Sequence, residues 1–146
     1  MARERLLRRL ELAWDDLMAA AAAAAEGRVD AVGSGWSLAD LLGHVATWEG
    51  EFLKALPLIL AGKPLPRYST AYGGIDAFNA GELARWRGQT PAQARQRLEL
   101  GHARLVSALA GLPLQEPRTE SRLRRRLRQD TYHHYGVHVQ ELRPRT

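Results

Sequence analysis

The chain has 146 residues, 45% hydrophobic and 25% charged, the size and balance of one soluble globular domain, residues 1–146, with a core of its own. It contains no cysteine, which excludes disulfide frameworks and thiolate metal sites and leaves His and carboxylates as the metal donors. The net charge of +5 is local: residues 118–128 carry six arginines (118, 122, 124, 125, 126 and 128) and one glutamate, Glu120, and the remainder is balanced at 15 basic and 15 acidic residues.

In chain order, residues 3–25 read as a first helix. Leu6, Leu7, Leu10, Trp14, Leu17, Met18 and Ala21 keep a 3.6-residue period. The N-terminus enters that pattern directly and lacks the apolar core of a signal peptide. No apolar run approaches the ~20 residues of a membrane span, so the expected compartment is the cytoplasm, with no membrane partner. Gly27 is a plausible C-cap, followed by a loop over residues 28–35. Ser37-Leu-Ala-Asp40 opens the second helix as a capping box. Its core stripe is Leu38, Leu41, Leu42, Val45, Trp48, Phe52, Leu56 and Ile59, with His44 on the same surface. Pro57 is expected to kink or end this helix.

Residues 61–74 form a loop rich in Pro, Gly and Tyr, and 75–87 a shorter helix containing Asp76-Ala-Phe-Asn79 and Trp86. A connection of about thirty residues joins parallel neighbours in a bundle, whereas short loops join antiparallel ones. Thr90-Pro-Ala-Gln93 opens the third long helix, faced by Ala94, Leu98, Leu105, Val106 and Leu109. Residues 112–118 are a loop, and one continuous helix is expected from about 120 to 142. Its buried stripe begins at Leu123 and Leu127. Steps of three and four residues carry that stripe to Thr131, His134, His138 and Leu142.

His134 and His138 are thus one turn apart on the core-facing side. Two imidazoles so placed can grip one metal ion. Buried imidazoles need partners, which either a metal or a hydrogen-bond network with Tyr, Asp or water supplies. With His44 also facing inward, the expected ligand set is His44, His134 and His138.

Trp36-Ser-Leu-Ala-Asp-Leu-Leu-Gly-His44-Val-Ala-Thr-Trp48-Glu49 resembles the second-helix signature of DinB-like proteins. Asp76-Ala-Phe-Asn79 and Thr131-Tyr-His-His134-Tyr-Gly-Val-His138 resemble the ClbS/DfsB branch in particular. The resemblance spans about residues 6 to 142. It implies an all-α four-helix bundle of up-down-down-up topology, the long crossover holding the short helix. It also implies a metal held by one His of the second helix and two of the fourth, positions that His44, His134 and His138 match. Relatives of this kind include thiol-dependent transferases and isomerases, and a hydrolase that destroys a reactive genotoxin.

Other residues carry competing readings. Glu49 lies about 140° around the helix from His44 and reads as solvated or salt-bridged. His133 points away from the pair and reads as surface, and His102 as a hydrogen-bonded structural histidine. Asp40 either caps its helix or orients His44. Trp48, Tyr72 and Asn79 are the expected substrate-pocket residues. Three function classes follow. The first is a metal-dependent hydrolase or thiol transferase acting on a small electrophile, with Zn, Ni or Fe and, for transfer, a low-molecular-weight thiol. The second is a non-catalytic module that binds or sequesters a small molecule. The third is a nucleic-acid binder using the Arg118–Arg128 patch, although that segment reads as an ordinary amphipathic helix without sequence-specific nucleic-acid binding. A homodimer is compatible with all three.

Overall fold

The computed structural model describes residues 2–24, 36–112 and 117–143, and these are all-helical. The helices are α1 (Ala2–Ala23), α2 (Leu38–Leu60), α3 (Tyr68–Ala71), α4 (Ile75–Arg85), α5 (Pro91–Ala110), α6 (Pro117–Asp130) and α7 (Tyr132–Leu142). The expected Gly27 cap and most of the 112–118 loop lie outside the described residues. None of the described helices is long and apolar enough to cross a membrane.

Local chemistry sets the helix starts. Ser37 Oγ accepts from the Asp40 amide and Asp40 Oδ2 from the Ser37 amide, which satisfies two donors at the start of α2. Thr90 and Gln93 make the same reciprocal pair at the start of α5, with Pro91 in the first helical position. Packing then arranges the long helices. α2 lies chiefly against α5 and also against α6, while α1 lies against α7. The core is a continuous apolar cluster from α1, α2, α5, α6 and α7, including Leu10, Leu17, Leu41, Val45, Phe52, Leu98, Leu105, Leu123 and Leu127. The whole expected stripe of α2 is buried. On α5, Val106 departs from expectation and is exposed.

Two boundaries differ from the sequence reading. Pro57 does not end α2, which continues three residues further to Leu60. Pro57 sits in the last turn, where it removes a single amide donor, and its own carbonyl still accepts from the Ala61 amide. The final helix is divided at Thr131, whose φ of −128° and ψ of −99° are not helical. Thr131 Oγ1 donates to the Leu127 carbonyl at 2.5 Å, and the Thr131 and Tyr135 amides keep i→i−4 bonds across the join. The break is therefore a local deformation, not a loop. A threonine hydroxyl that bonds back to the preceding turn bends helices in this way.

Candidate metal centre

α2 and α7 bring His44, His134 and His138 together, and any ion there would have three imidazole donors. His134 Nε2 is 3.0 Å from His44 Nε2 and 2.8 Å from His138 Nε2. The rings are mutually steep, at 73° to 90°. Burial pushes His44 down to about 4, helped by His138. Burial likewise pushes His134 down to about 2, helped by His138, His44 and His133. Both are neutral at neutral pH, so each keeps a lone pair for an acceptor role.

The donor chemistry fits a cation better than a hydrogen-bond network. His138 Nδ1 lies 2.6 Å from Glu141 Oε2, so Nδ1 carries the proton given to that carboxylate and Nε2 is left as a lone pair. His134 Nε2 faces two other Nε2 atoms, and one proton there cannot point at both. His134 Nδ1 is buried without a hydrogen-bond partner, so neither tautomer satisfies the ring from within the described residues. A cation would accept all three lone pairs at once. Three nitrogens on a tetrahedral ion with bonds of about 2.0–2.1 Å are about 3.3 Å apart, and the three donor atoms here lie within 4.8 Å of one another. The Glu141–His138 pair is the carboxylate–histidine arrangement that orients ligands in metal sites. Glu141 was not singled out from sequence, although its position three residues after His138 on one helix was a usable signal.

The other expected residues are scattered. Trp48 is buried; its indole N–H donates to Asn79 Oδ1 at 2.9 Å, and its ring stands 6.4 Å from the His134 ring. Asn79 lines a narrow slot beside His44 together with Trp36, Asp40, Thr47 and Glu82. Tyr72 is not at this slot. It is half exposed, stacks near Tyr68 and Phe78, and lines a separate cleft with Glu51, Lys54 and Arg126. Asp40 serves the capping box. His133 is exposed, as expected.

Of the two readings of Glu49, solvated or salt-bridged, the structure excludes the solvated one. The residue is 0% exposed, and its Oε1 accepts from the Tyr135 hydroxyl and lies 3.1 Å from His102 Nδ1. Burial raises its pKa, against the pull of His102 and Tyr135. Burial and the neighbouring Glu49 raise that of Tyr135. Trp14 stacks on His102 at 3.7 Å and 5°. α5 and α7 thus supply the partners that a helical wheel of α2 alone cannot reveal.

A family model described as the DinB superfamily matches residues 9–141. No curated protein and no solved structure matches the chain. The matched span runs from within α1 to within α7 and includes all three clustered histidines, and the chain belongs to the DinB superfamily.

Proposed function

We propose that this is a metal-binding DinB protein acting on a small electrophile, by hydrolysis or by transfer of a low-molecular-weight thiol. The observation that carries the reading is the convergence of His44, His134 and His138 around a point where no arrangement of their protons satisfies all the nitrogens. Zinc, nickel and iron all suit imidazole donors. A divalent ion with three protein ligands and an open position supplies hydroxide near neutral pH or holds a thiolate. The chain's own part is to keep His44 and His134 neutral by burial and to fix the His138 ring through Glu141. The tie from Trp48 to Asn79 holds α4 over α2 beside His44. Packing of α2 on α5 across the long connection supports the up-down-down-up order, and Asp76-Ala-Phe-Asn79 at the site's edge supports the ClbS/DfsB branch.

The test has two stages. Elemental analysis should find one transition ion per chain, lost in His134→Ala and retained in His133→Ala. Equal occupancy in both variants would sink the site. Metal-loaded protein is then offered epoxides and activated halides with and without thiols, with chelated protein and His44→Ala as controls. Turnover that survives both controls would remove the metal from the chemistry. Absence of turnover with every member would favour the binding module.

A further inference from the structure

His44 belongs to α2, and His134 and His138 belong to α7. Mutual packing does little to align these two helices. α2 lies chiefly against α5 and α6, and α7 against α1. The non-helical Thr131 separates α7 from α6, so no continuous helix carries the orientation across. Yet nitrogen ligands must stand within about 0.2 Å of their proper distance from an ion. We propose that the hydrogen bond from Tyr135 to Glu49 is the tie that sets this alignment, which makes both side chains positioning residues of the metal centre. The inference rests on the metal reading above and names what holds its ligands in place.

Three observations carry it. First, the tie joins the two ligand helices beside their ligands. Tyr135 follows His134 directly on α7, and Glu49 stands five residues after His44 on α2, about 7.5 Å along the axis. The Tyr135 hydroxyl donates to Glu49 Oε1. Among the described residues this is the one hydrogen bond between α2 and α7 apart from the contact of His44 with His134. Second, the tie ends on a fixed anchor. Glu49 is fully buried, and the same oxygen faces His102 Nδ1 of α5 at 3.1 Å. Trp14 of α1 stacks on His102 at 3.7 Å and meets the Tyr135 ring edge-on at 5.9 Å. Indole, imidazole, carboxylate and phenol thus lock one another across four helices. Third, packing alone does not account for a carboxylate here. Glu49 Oε2 is buried without a hydrogen-bond partner among the described residues, and its neighbour Gly101 has no side chain to offer one. Such a group costs stability that an apolar side chain of similar volume would not.

A leucine at position 49 would fill the space, but only an acceptor can hold the Tyr135 hydroxyl. The geometric use of that acceptor is to fix where α7 stands against α2. The histidine pair is then set at two levels. Glu141 orients the His138 ring, and Tyr135 places the helix that carries both rings.

Cobalt(II) is the probe, because its visible absorption reports coordination geometry. It is titrated into the full-length parent and into Tyr135→Phe, Glu49→Gln, Glu49→Leu and Leu123→Ala, each shown folded by circular dichroism. Glutamine keeps a carbonyl acceptor for Tyr135 and discards the charge. Leu123 is a buried core residue of α6 outside the tie, and its truncation controls for lost stability alone. Tyr135→Phe and Glu49→Leu should bind cobalt about tenfold more weakly, or worse, with an altered spectrum. Glu49→Gln and Leu123→Ala should bind it as the parent does. A second readout needs no metal. In chelated protein, NMR cross-peaks between the His44 and His134 rings, whose centroids are 4.8 Å apart, should fade in Tyr135→Phe and persist in Glu49→Gln. Parental affinity and spectrum in Tyr135→Phe would overturn the proposal. So would Glu49→Gln as weak as Glu49→Leu, which would make the effect one of charge. Leu123→Ala as weak as Tyr135→Phe would overturn it too, as an effect of stability. A parent that takes up no cobalt, with cross-peaks that still depend on Tyr135, would uphold the tie and remove the metal reading. Cobalt uptake with affinity and cross-peaks indifferent to Tyr135 would do the reverse.

Discussion

Tyr135 holds the middle of the molecule together through a single oxygen. Its hydroxyl donates to Glu49, a carboxylate without exposure, whose second oxygen has no partner among the described residues. Loss of one donor to a buried acceptor costs about 1–3 kcal/mol. Tyr135→Phe should therefore lower unfolding free energy by that amount in a denaturant titration, although the substitution removes only one atom. A loss under ~0.5 kcal/mol would show that His102 alone satisfies Glu49. The wheel of α2 put Glu49 on a wet face because it assumed that such a face exists. In fact α2 is packed by α4, α5, α6 and α7, and 15 of its residues are buried. A helix buried on most sides has no place to send a glutamate except into the core, where partners from other helices decide its state. His44, His134 and His138 were legible because each repeated the apolar period of its own helix. Tyr72 lines a different cleft from Asn79, a placement the sequence could not give because nothing in a Gly- and Pro-rich loop fixes the direction of a side chain.

At the scale of elements, the join between α6 and α7 places Asp130 without exposure beside Arg126, at 2.6 Å. Burial raises the Asp130 carboxyl to about 6 despite Arg126, with Glu51 adding to the rise. A carboxyl raised in the fold binds protons more tightly folded than unfolded, so folding is penalised where the group must ionise. That penalty is full above pH ~6 and vanishes below the unfolded value near 4. It amounts to about 2–3 kcal/mol for a rise of about two pKa units. Asp130→Asn carries no such penalty. Its stability relative to the parent should therefore fall by that amount as pH drops from 7.5 to 4, in parallel denaturation series. A difference that stays flat with pH would show that Asp130 titrates normally. The continuous helix expected here hid the junction, because Thr131 fits the buried stripe and only its side-chain bond to Leu127 betrays the bend.

The arginines of α6 follow the same logic of engagement. Arg122 donates to the Lys63 carbonyl, Arg124 pairs with Glu120, and Arg126 holds Asp130 and the Tyr68 hydroxyl. Arg125 and Arg128 are exposed. The segment is less a free cationic face than its sequence suggests. Duplex DNA should bind weakly and without sequence preference, with affinity that collapses between 50 and about 200 mM salt. Sequence-dependent binding that persists at about 150 mM salt would make this helix a nucleic-acid surface after all.

Over the whole molecule, the apolar core and the three-histidine cluster are separable. The cluster stands between α2 and α7, while the core continues through α1, α2, α5 and α6 without using any of its imidazoles. A site that is not needed to bury apolar surface should not be needed to fold, in contrast to small metal-stapled domains whose binding energy is their folding energy. Metal binding to the folded state still adds stability by mass action, about 2.7 kcal/mol at a hundredfold excess over Kd. For a chain of this length that is roughly 5–10 °C in Tm. Chelated protein should therefore keep its helical circular dichroism and its cooperative melt, at a Tm lower by that margin, and the ion should restore it. His134→Ala should melt near the chelated protein and gain nothing from added metal. Collapse of the helical signal on chelation would instead mean that the ion holds α7 against α2, and the cluster would then be a structural staple with no position left for chemistry.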